Sequence, residues 1–169
     1  MKKLQTLALL SLVTFTAFGQ VKLRLPDTTA VPGSSISIPI IVEGFRNVGS
    51  LSLTVAFDSR VLTFKGVVNQ PQFGFFNSTK PEAANKVGAI GLSWFNVTPS
   101  LNIPAGKLLD LLFSYKDGTS PLNFVKMVPS SVTDSLAKNL EATVRNGRIS
   151  IQTTPSDTVS SPLPRGTKK

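Results

Sequence analysis

Residues 49–68 read GSLSLTVAFDSRVLTFKGVV and decide the fold, because apolar residues fall at every second position on both sides of a short polar break. A period of two predicts β-strands that bury one face. The inward set of the first predicted strand is Leu51, Leu53, Val55 and Phe57. Asp58 starts the corner, since its carboxylate can accept hydrogen bonds from nearby backbone N–H groups. Leu62 and Phe64 continue the alternation, so the stretch predicts two consecutive strands.

The same alternation recurs along the chain between turn signals. Further strands are predicted at 21–25, 34–42, 86–95, 107–115, 121–128 and 142–151, with 132–140 left ambiguous. Pro39 marks an edge or a bulge, because proline cannot donate to a sheet ladder. Residues 26–33, 43–48 and 96–105 are predicted as connections, and Asn146-Gly147 as a tight hairpin or bulge. The run 108–113 is read as strand, since its length leaves no room for three helical turns.

Many short strands with regular turn signals and no convincing helix predict an all-β fold, an antiparallel β-sandwich. The chain has 169 residues without cysteine, so packing alone must hold this fold together. Residues 1–19 have the charged, apolar and small-residue zones of a Sec-type signal peptide, with cleavage expected after Gly19. Their apolar run is too short for a membrane span. The expected organisation is a signal peptide (1–19), a sandwich domain (20–152) and a Thr/Ser/Pro-rich basic tail or linker (153–169), in a secreted or cell-surface protein.

The composition offers little material for catalysis. With no histidine and no cysteine, the Ser-His and Cys-His arrangements and the commonest zinc ligands are excluded. The nine acidic residues lie mainly at turns, where solvated caps are the ordinary role. The formal charge of +9 comes from scattered basic residues, which does not favour nucleic-acid binding. We therefore expect neither an enzyme nor a cofactor, and no metal site.

Three local patterns together resemble the cohesin domain family. Gly49 precedes an alternating strand that ends in Phe57-Asp58, and a short corner then leads to a Leu-x-Phe strand. A Pro-Gly turn at 32–33 precedes a strand that contains Pro39. The segment 147–151, Gly-x-Ile-x-Ile, is similar to the end of a cohesin domain. The resemblance covers about 21–152 and implies a nine-stranded jelly roll.

The resemblance also implies a function and a face that carries it. Cohesins are non-catalytic modules that bind dockerin domains, which need calcium to fold, and they serve extracellular polysaccharide degradation or cell-surface attachment. The matching outward positions here are Ser50, Ser52, Thr54, Ala56, Ala89, Gly91, Ser93 and Phe95. Many cohesins place an amide and a carboxylate on the third strand, where this chain has Ser50 and Ser52.

Two alternative functions remain open at this point. The first is a carbohydrate-binding module, in which a polysaccharide stacks on a platform formed by Phe73, Phe75 and Phe76, because aromatic faces bind the apolar faces of sugar rings. Trp94 is predicted to lie in the core instead, since it alternates with Ile90 and Leu92. The second alternative is a structural adhesin subunit.

Overall fold

The computed structural model describes residues 20–69, 74, 76–96, 98–125 and 132–152. The predicted signal peptide and tail lie outside the described residues. The elements are β1 (Val21–Arg24), β2 (Asp27–Ala30), β3 (Ser35–Phe57), β4 (Leu62–Asn69), β5 (Asn77–Ser78), α1 (Pro81–Val87), β6 (Ala89–Phe95), β7 (Leu101–Tyr115), β8 (Ser120–Phe124), β9 (Val132–Asp134), β10 (Ala142–Arg145) and β11 (Gly147–Ile151).

The long strand β3 belongs to both layers of a β-sandwich. Its first half pairs with β1 and β7, and its second half pairs with β6, β8 and β9. The register shifts between Phe45 and Val48, and Gly44 has φ +74°. The prediction of a loop at 43–48 was wrong, because the backbone stays extended and changes layer through these irregularities.

We call the two layers the front and back sheets. The front sheet has the order β5–β6–β3–β8–β11–β2. β9 pairs with residues 48–51 of β3, whereas β8 pairs with residues 55–57. The back sheet has the order β10–β1–β3–β7–β4. Most pairings are antiparallel, but β1 with β10 and β2 with β11 are parallel. The predicted all-β sandwich is confirmed.

The core lies between the sheets and contains the inward residues that alternation predicted. Leu51, Leu53, Val55 and Phe57 are all less than 8% exposed. The ring of Phe113 on β7 lies edge-on to that of Phe57, with centroids 5.3 Å apart, and so joins the back sheet to the front. Trp94 is 6% exposed, which confirms its predicted place in the core.

A short helix, α1, replaces the start of the strand predicted at 86–95. Pro81 stands in the first turn, and Gly88 ends the helix with φ +68° while its N–H bonds the carbonyl of Ala84. Proline at the start and a left-handed glycine just past the end are the usual helix boundaries. The sequence therefore carried these signals, and the prediction of no helix was wrong.

The chain between β10 and β11 changes layer and does not form a hairpin. β10 pairs with β1 in the back sheet, whereas β11 pairs with β8 and β2 in the front sheet. Asn146, between them, accepts a hydrogen bond at Oδ1 from the N–H of Phe124, at 2.9 Å. The hairpin prediction at Asn146-Gly147 was therefore wrong, because each strand finds its partners elsewhere.

Other elements also begin or end at residues different from those predicted, because strand pairing with distant residues sets their bounds. Strand β2 occupies part of the predicted turn at 26–33, and β7 begins at Leu101 inside the predicted connection. The ambiguous segment 132–140 contains β9, whose Thr133 also forms a bridge with Asn139. Pro39 pairs in register with Asp110, and the register shift lies between the next two residues, Ile40 and Ile41, so the irregularity predicted at Pro39 lies beside it.

Candidate functional site

The structure brings all eight predicted face residues together on the front sheet. β3 and β6 run antiparallel, so these residues form four directly opposed pairs, with side chains on the same outer face. The pairs are Ser50 with Phe95, Ser52 with Ser93, Thr54 with Gly91, and Ala56 with Ala89. They form a patch two strands wide, which we call the β3–β6 face.

The β3–β6 face consists almost entirely of small side chains. Ser52 and Ser93 are exposed at its centre, and the alanine, glycine and threonine positions are half-buried. Gly91 keeps the surface low, since a Cβ there would lie 3.0 Å from Thr79 Oγ1. The large exception is Phe95, which is 76% exposed at one end of the face. A flat surface with a single projecting aromatic ring results.

Strand β5 extends this face on the side of β6. Asn77 is the register partner of Ser93, and the hydroxyl of Thr79 accepts a hydrogen bond from the N–H of Gly91, at 2.9 Å. An open depression of about 320 Å³ lies over this region, bordered by Ser52, Thr54 and the 77–79 segment. Asn77 was not predicted to border the face, because a two-residue strand leaves no alternation to detect.

Strand β9 pairs with β3 at the Phe95 end of the face and so borders the face there. Ser50 Oγ and Thr133 Oγ1 share a hydrogen bond of 2.7 Å, so the hydroxyl of Ser50 already has a partner inside the protein. The turn that follows carries Leu136, which is 85% exposed. Asp134 holds this turn, since its Oδ1 accepts from the N–H groups of Leu136 and Lys138, both at 2.9 Å. Thr133 was not predicted as a neighbour of the face, because no local pattern links it to β3.

No charged side chain belongs to the β3–β6 face. On the same side of the front sheet, Arg148 lies two strands beyond β3 and its partner Asp27 three strands beyond, with Nε and Oδ1 3.6 Å apart. A partner confined to the eight residues of the β3–β6 face would therefore bury hydroxyl groups, small apolar side chains and one aromatic ring.

The predicted aromatic platform does not form as expected at Phe76. This side chain is 4% exposed and stacks on Trp94 with ring centroids 6.0 Å apart and an interplanar angle of 27°. A sugar ring needs an open aromatic face, so Phe76 is a core residue, and this part of the prediction was wrong. Phe73 and Phe75 lie outside the described residues.

Several acidic residues of the described ranges form hydrogen bonds at turns or ion pairs within the protein. Asp58 receives hydrogen bonds from the guanidinium and the backbone N–H of Arg60, which lower its pKa from 3.8 to about 2. Asp110 binds Lys107, and Glu43 binds Lys22. Within the described residues no three acidic, histidine or cysteine side chains cluster as metal ligands would.

In the same part of the chain, no helix has the length and apolar character needed to cross a membrane.

Comparison with known proteins places the sandwich in a family. The model of the cohesin domain matches residues 21–151, most of the chain. No curated protein matches the sequence of this chain. The chain belongs to the cohesin family.

Solved structures with the same fold include cohesins alone and in complexes. One is a type I cohesin–dockerin complex from Clostridium thermocellum, with TM-score 0.69, 14% identity, and coverage of 79% of this chain and 99% of that chain. A second is a non-cellulosomal cohesin from the archaeon Archaeoglobus fulgidus, with TM-score 0.66, 17% identity, and coverage of 79% and 92%. A third is a protein from Clostridium acetobutylicum solved in solution, with TM-score 0.62, 21% identity, and coverage of 79% and 91%.

Proposed function

We propose that this chain is a secreted, non-catalytic binding module that docks a dockerin-type protein partner on the β3–β6 face. The observation that carries the proposal is the set of four opposed pairs, which makes a flat, uncharged, exposed surface on the front sheet. Membership of the cohesin family supports it. A similar solved structure is named as a cohesin–dockerin complex, which supports the class of partner.

The shape and chemistry of the face suit a protein helix lying across the strands. Small side chains at Thr54, Ala56, Ala89 and Gly91 allow a helix backbone to approach closely. The exposed hydroxyls of Ser52 and Ser93 offer hydrogen bonds near the centre. Phe95 offers the one large apolar contact, of the aromatic type that is enriched among residues dominating binding energy.

The absence of charge on the β3–β6 face sets an expectation about affinity. Charge pairs across an interface raise the association rate and make it depend on salt. Ser50 and Ser52 can form no such pairs, so the complex should be held by hydrogen bonds and packing. Binding should therefore change little between low and high salt.

The proposal also covers location and biological setting. Export through the predicted signal peptide would place the module outside the cell, where it would attach a partner to a polysaccharide-degrading assembly or to the cell surface. The dockerin-type partner would carry the calcium in this complex, since it needs the ion to fold. The carbohydrate-binding alternative is less well supported, because Phe76 is buried.

The decisive experiment measures binding to a panel of purified, calcium-loaded dockerin domains by calorimetry. Ser52→Arg should weaken binding of the best dockerin by at least about tenfold, because a bulky charge would stand at the centre of the contact. Ser37→Arg is the matched control: it places the same charge at an exposed serine of the same strand, where β3 pairs with β7 in the back sheet. It should leave affinity unchanged.

Two results would contradict the proposal. One is equal affinity for Ser52→Arg and Ser37→Arg, which would move the contact away from the β3–β6 face. The other is retention on insoluble polysaccharide with no binding to any dockerin, which would favour the carbohydrate-binding alternative. Chemical shifts in an NMR spectrum of each variant check that both remain folded.

A further inference from the structure

A second exposed feature lies on the back sheet, in the layer opposite the β3–β6 face. The parallel pairing of β1 with β10 sets Arg24 directly opposite Arg145. Both side chains are exposed, while the preceding residue of β1, Leu23, is buried in the core. The two guanidinium groups therefore project from the same outer surface on neighbouring strands.

These two arginines differ from the other charged residues around them. Lys22 is paired with Glu43 at 3.1 Å, and Lys107 with Asp110 at 2.7 Å. No described acidic group lies within ion-pair distance of Arg24 or Arg145. Like charges directly opposite each other on paired strands repel, and neither guanidinium has a direct ion-pair partner in the described chain.

Arg24 and Arg145 also border one groove. It has a volume of about 200 Å³, and its lining also includes Ile41, the register partner of Arg24, and the ion pair of Lys22 with Glu43. A guanidinium presents a planar fork of N–H donors that matches the oxygens of carboxylates and phosphates. Two such forks, from neighbouring strands that border one groove, suit a tetrahedral oxyanion with several acceptor oxygens better than a single planar carboxylate.

We propose that this groove binds a phosphate group, held between Arg24 and Arg145. The bound dianion removes the repulsion between the two arginines. It also ties β10 to β1, two strands from opposite ends of the domain whose pairing is flanked by backbone hydrogen bonds from Val21 to Glu141 and from Leu25 to Arg145, each 3.0 Å. Phosphate should therefore stabilise the fold as well as bind to it, because a ligand that binds only the folded state raises its stability.

The test is an NMR titration of the full chain with sodium phosphate at pH 7, against sodium chloride at matched ionic strength. Backbone N–H signals of β1 and β10 should shift and saturate with phosphate only. The melting temperature should rise with phosphate. A parallel titration with glycerol 3-phosphate distinguishes the source of the group: tighter binding than inorganic phosphate assigns the groove to a phosphate ester, and equal binding assigns it to the free ion.

Substitutions locate the site. Arg24→Ala and Arg145→Ala should each weaken phosphate binding by at least about tenfold and abolish the rise in melting temperature. Arg24→Lys keeps the charge but loses the fork, and should fall between Arg24→Ala and the unchanged protein. Arg46→Ala, which removes an exposed arginine of β3 outside the groove, is the control and should bind as the unchanged protein does.

The proposal is overturned if the shifts grow linearly without saturation, or if chloride at equal ionic strength produces them too. It is also overturned if Arg46→Ala weakens the response as much as Arg24→Ala, since that would indicate general attraction to a basic surface. Either failure leaves the proposed dockerin contact untouched, because the groove belongs to the other sheet.

Discussion

Asp58 controls the corner between β3 and β4. Its Oδ1 accepts the backbone N–H of Arg60 at 2.9 Å, and the guanidinium of Arg60 donates to both carboxylate oxygens, at 3.0 and 2.7 Å. These bonds favour the ionised carboxylate and hold its pKa at about 2 in the folded protein, below the ordinary 3.8. The sequence predicted this corner and the role of Asp58 in it, because such capping is local to a few residues.

The first prediction concerns the pH dependence of this corner. A folded-state pKa below the unfolded value stabilises the protein above pH 4, and the contribution disappears as the pH falls from about 4 to about 2. Asp58→Asn should therefore melt at a lower temperature than the unchanged protein at pH 6, with the difference shrinking toward pH 2. Thermal denaturation followed by circular dichroism over this range measures it.

The guanidinium of Arg60 provides the control for this explanation. In Arg60→Ala, an NMR titration of the Asp58 carboxyl should give a pKa closer to 3.8. The largest cause of the lowered pKa is the hydrogen bond from the side chain of Arg60, which this substitution removes. An unchanged pKa of about 2 would show that the backbone alone holds the carboxylate.

At the scale of elements, α1 protects the free edge of the back sheet. Within the described residues β4 pairs only with β7, so its other edge presents unpaired backbone groups. The side chain of Asn85 fills this place at Phe64: its Oδ1 accepts the N–H at 2.7 Å and its Nδ2 donates to the carbonyl at 2.9 Å. One amide side chain thus acts as a neighbouring strand would, and exposed edges of this kind invite pairing with other chains.

The second prediction follows from these two bonds. Asn85→Ala should lower the free energy of unfolding by about 1–3 kcal/mol, because a partly buried N–H and carbonyl lose their partners. Asn85→Asp should also destabilise, since a carboxylate cannot donate to the carbonyl of Phe64. Urea denaturation gives the values, and Lys86→Ala, the exposed neighbour on the same helix, is the control. Equal stability of Asn85→Ala and Lys86→Ala would show that the edge needs no cover.

At the scale of the whole molecule, the last two strands close both sheets. β11 lies between β8 and β2 in the front sheet, and its Ile149 is fully buried. Gln152 donates its N–H to the carbonyl of Ala30 at 2.9 Å. The sandwich therefore depends on the chain as far as about residue 152, whereas residues 154–169 are too polar and proline-rich to bury much apolar surface.

The third prediction compares two truncations. A chain ending at Gln152 should melt at the same temperature as the full chain. A chain ending at Asn146 should melt at least about 5 °C lower, because burial of an isoleucine alone contributes about 1.5–3 kcal/mol. Calorimetry of both proteins measures this. A large loss of stability on ending at Gln152 would contradict the predicted independence of the tail.

Most residues of the candidate face, but not all of its neighbours, could be predicted from the sequence. Alternation along 49–57 and 89–95 correctly divided inward from outward residues, so the eight face residues could be selected before their pairing was known. Thr133 could not, because its contact with Ser50 joins residues that are 83 positions apart in the chain. Phe76 was misplaced because a Phe-rich segment without alternation does not indicate which rings are buried.

The sequence by itself determined which residues face inward on the main strands, the corner at Asp58 and the family of the fold. These follow from the period of two and from short-range hydrogen bonds, which depend on neighbours in the chain. Only the tertiary structure decided that β3 continues through residues 43–48 into the second sheet, and that β10 and β11 separate at Asn146. Strand pairing is a choice among distant partners, and burial of the whole core fixes that choice, so a local pattern such as Asn-Gly cannot reveal it.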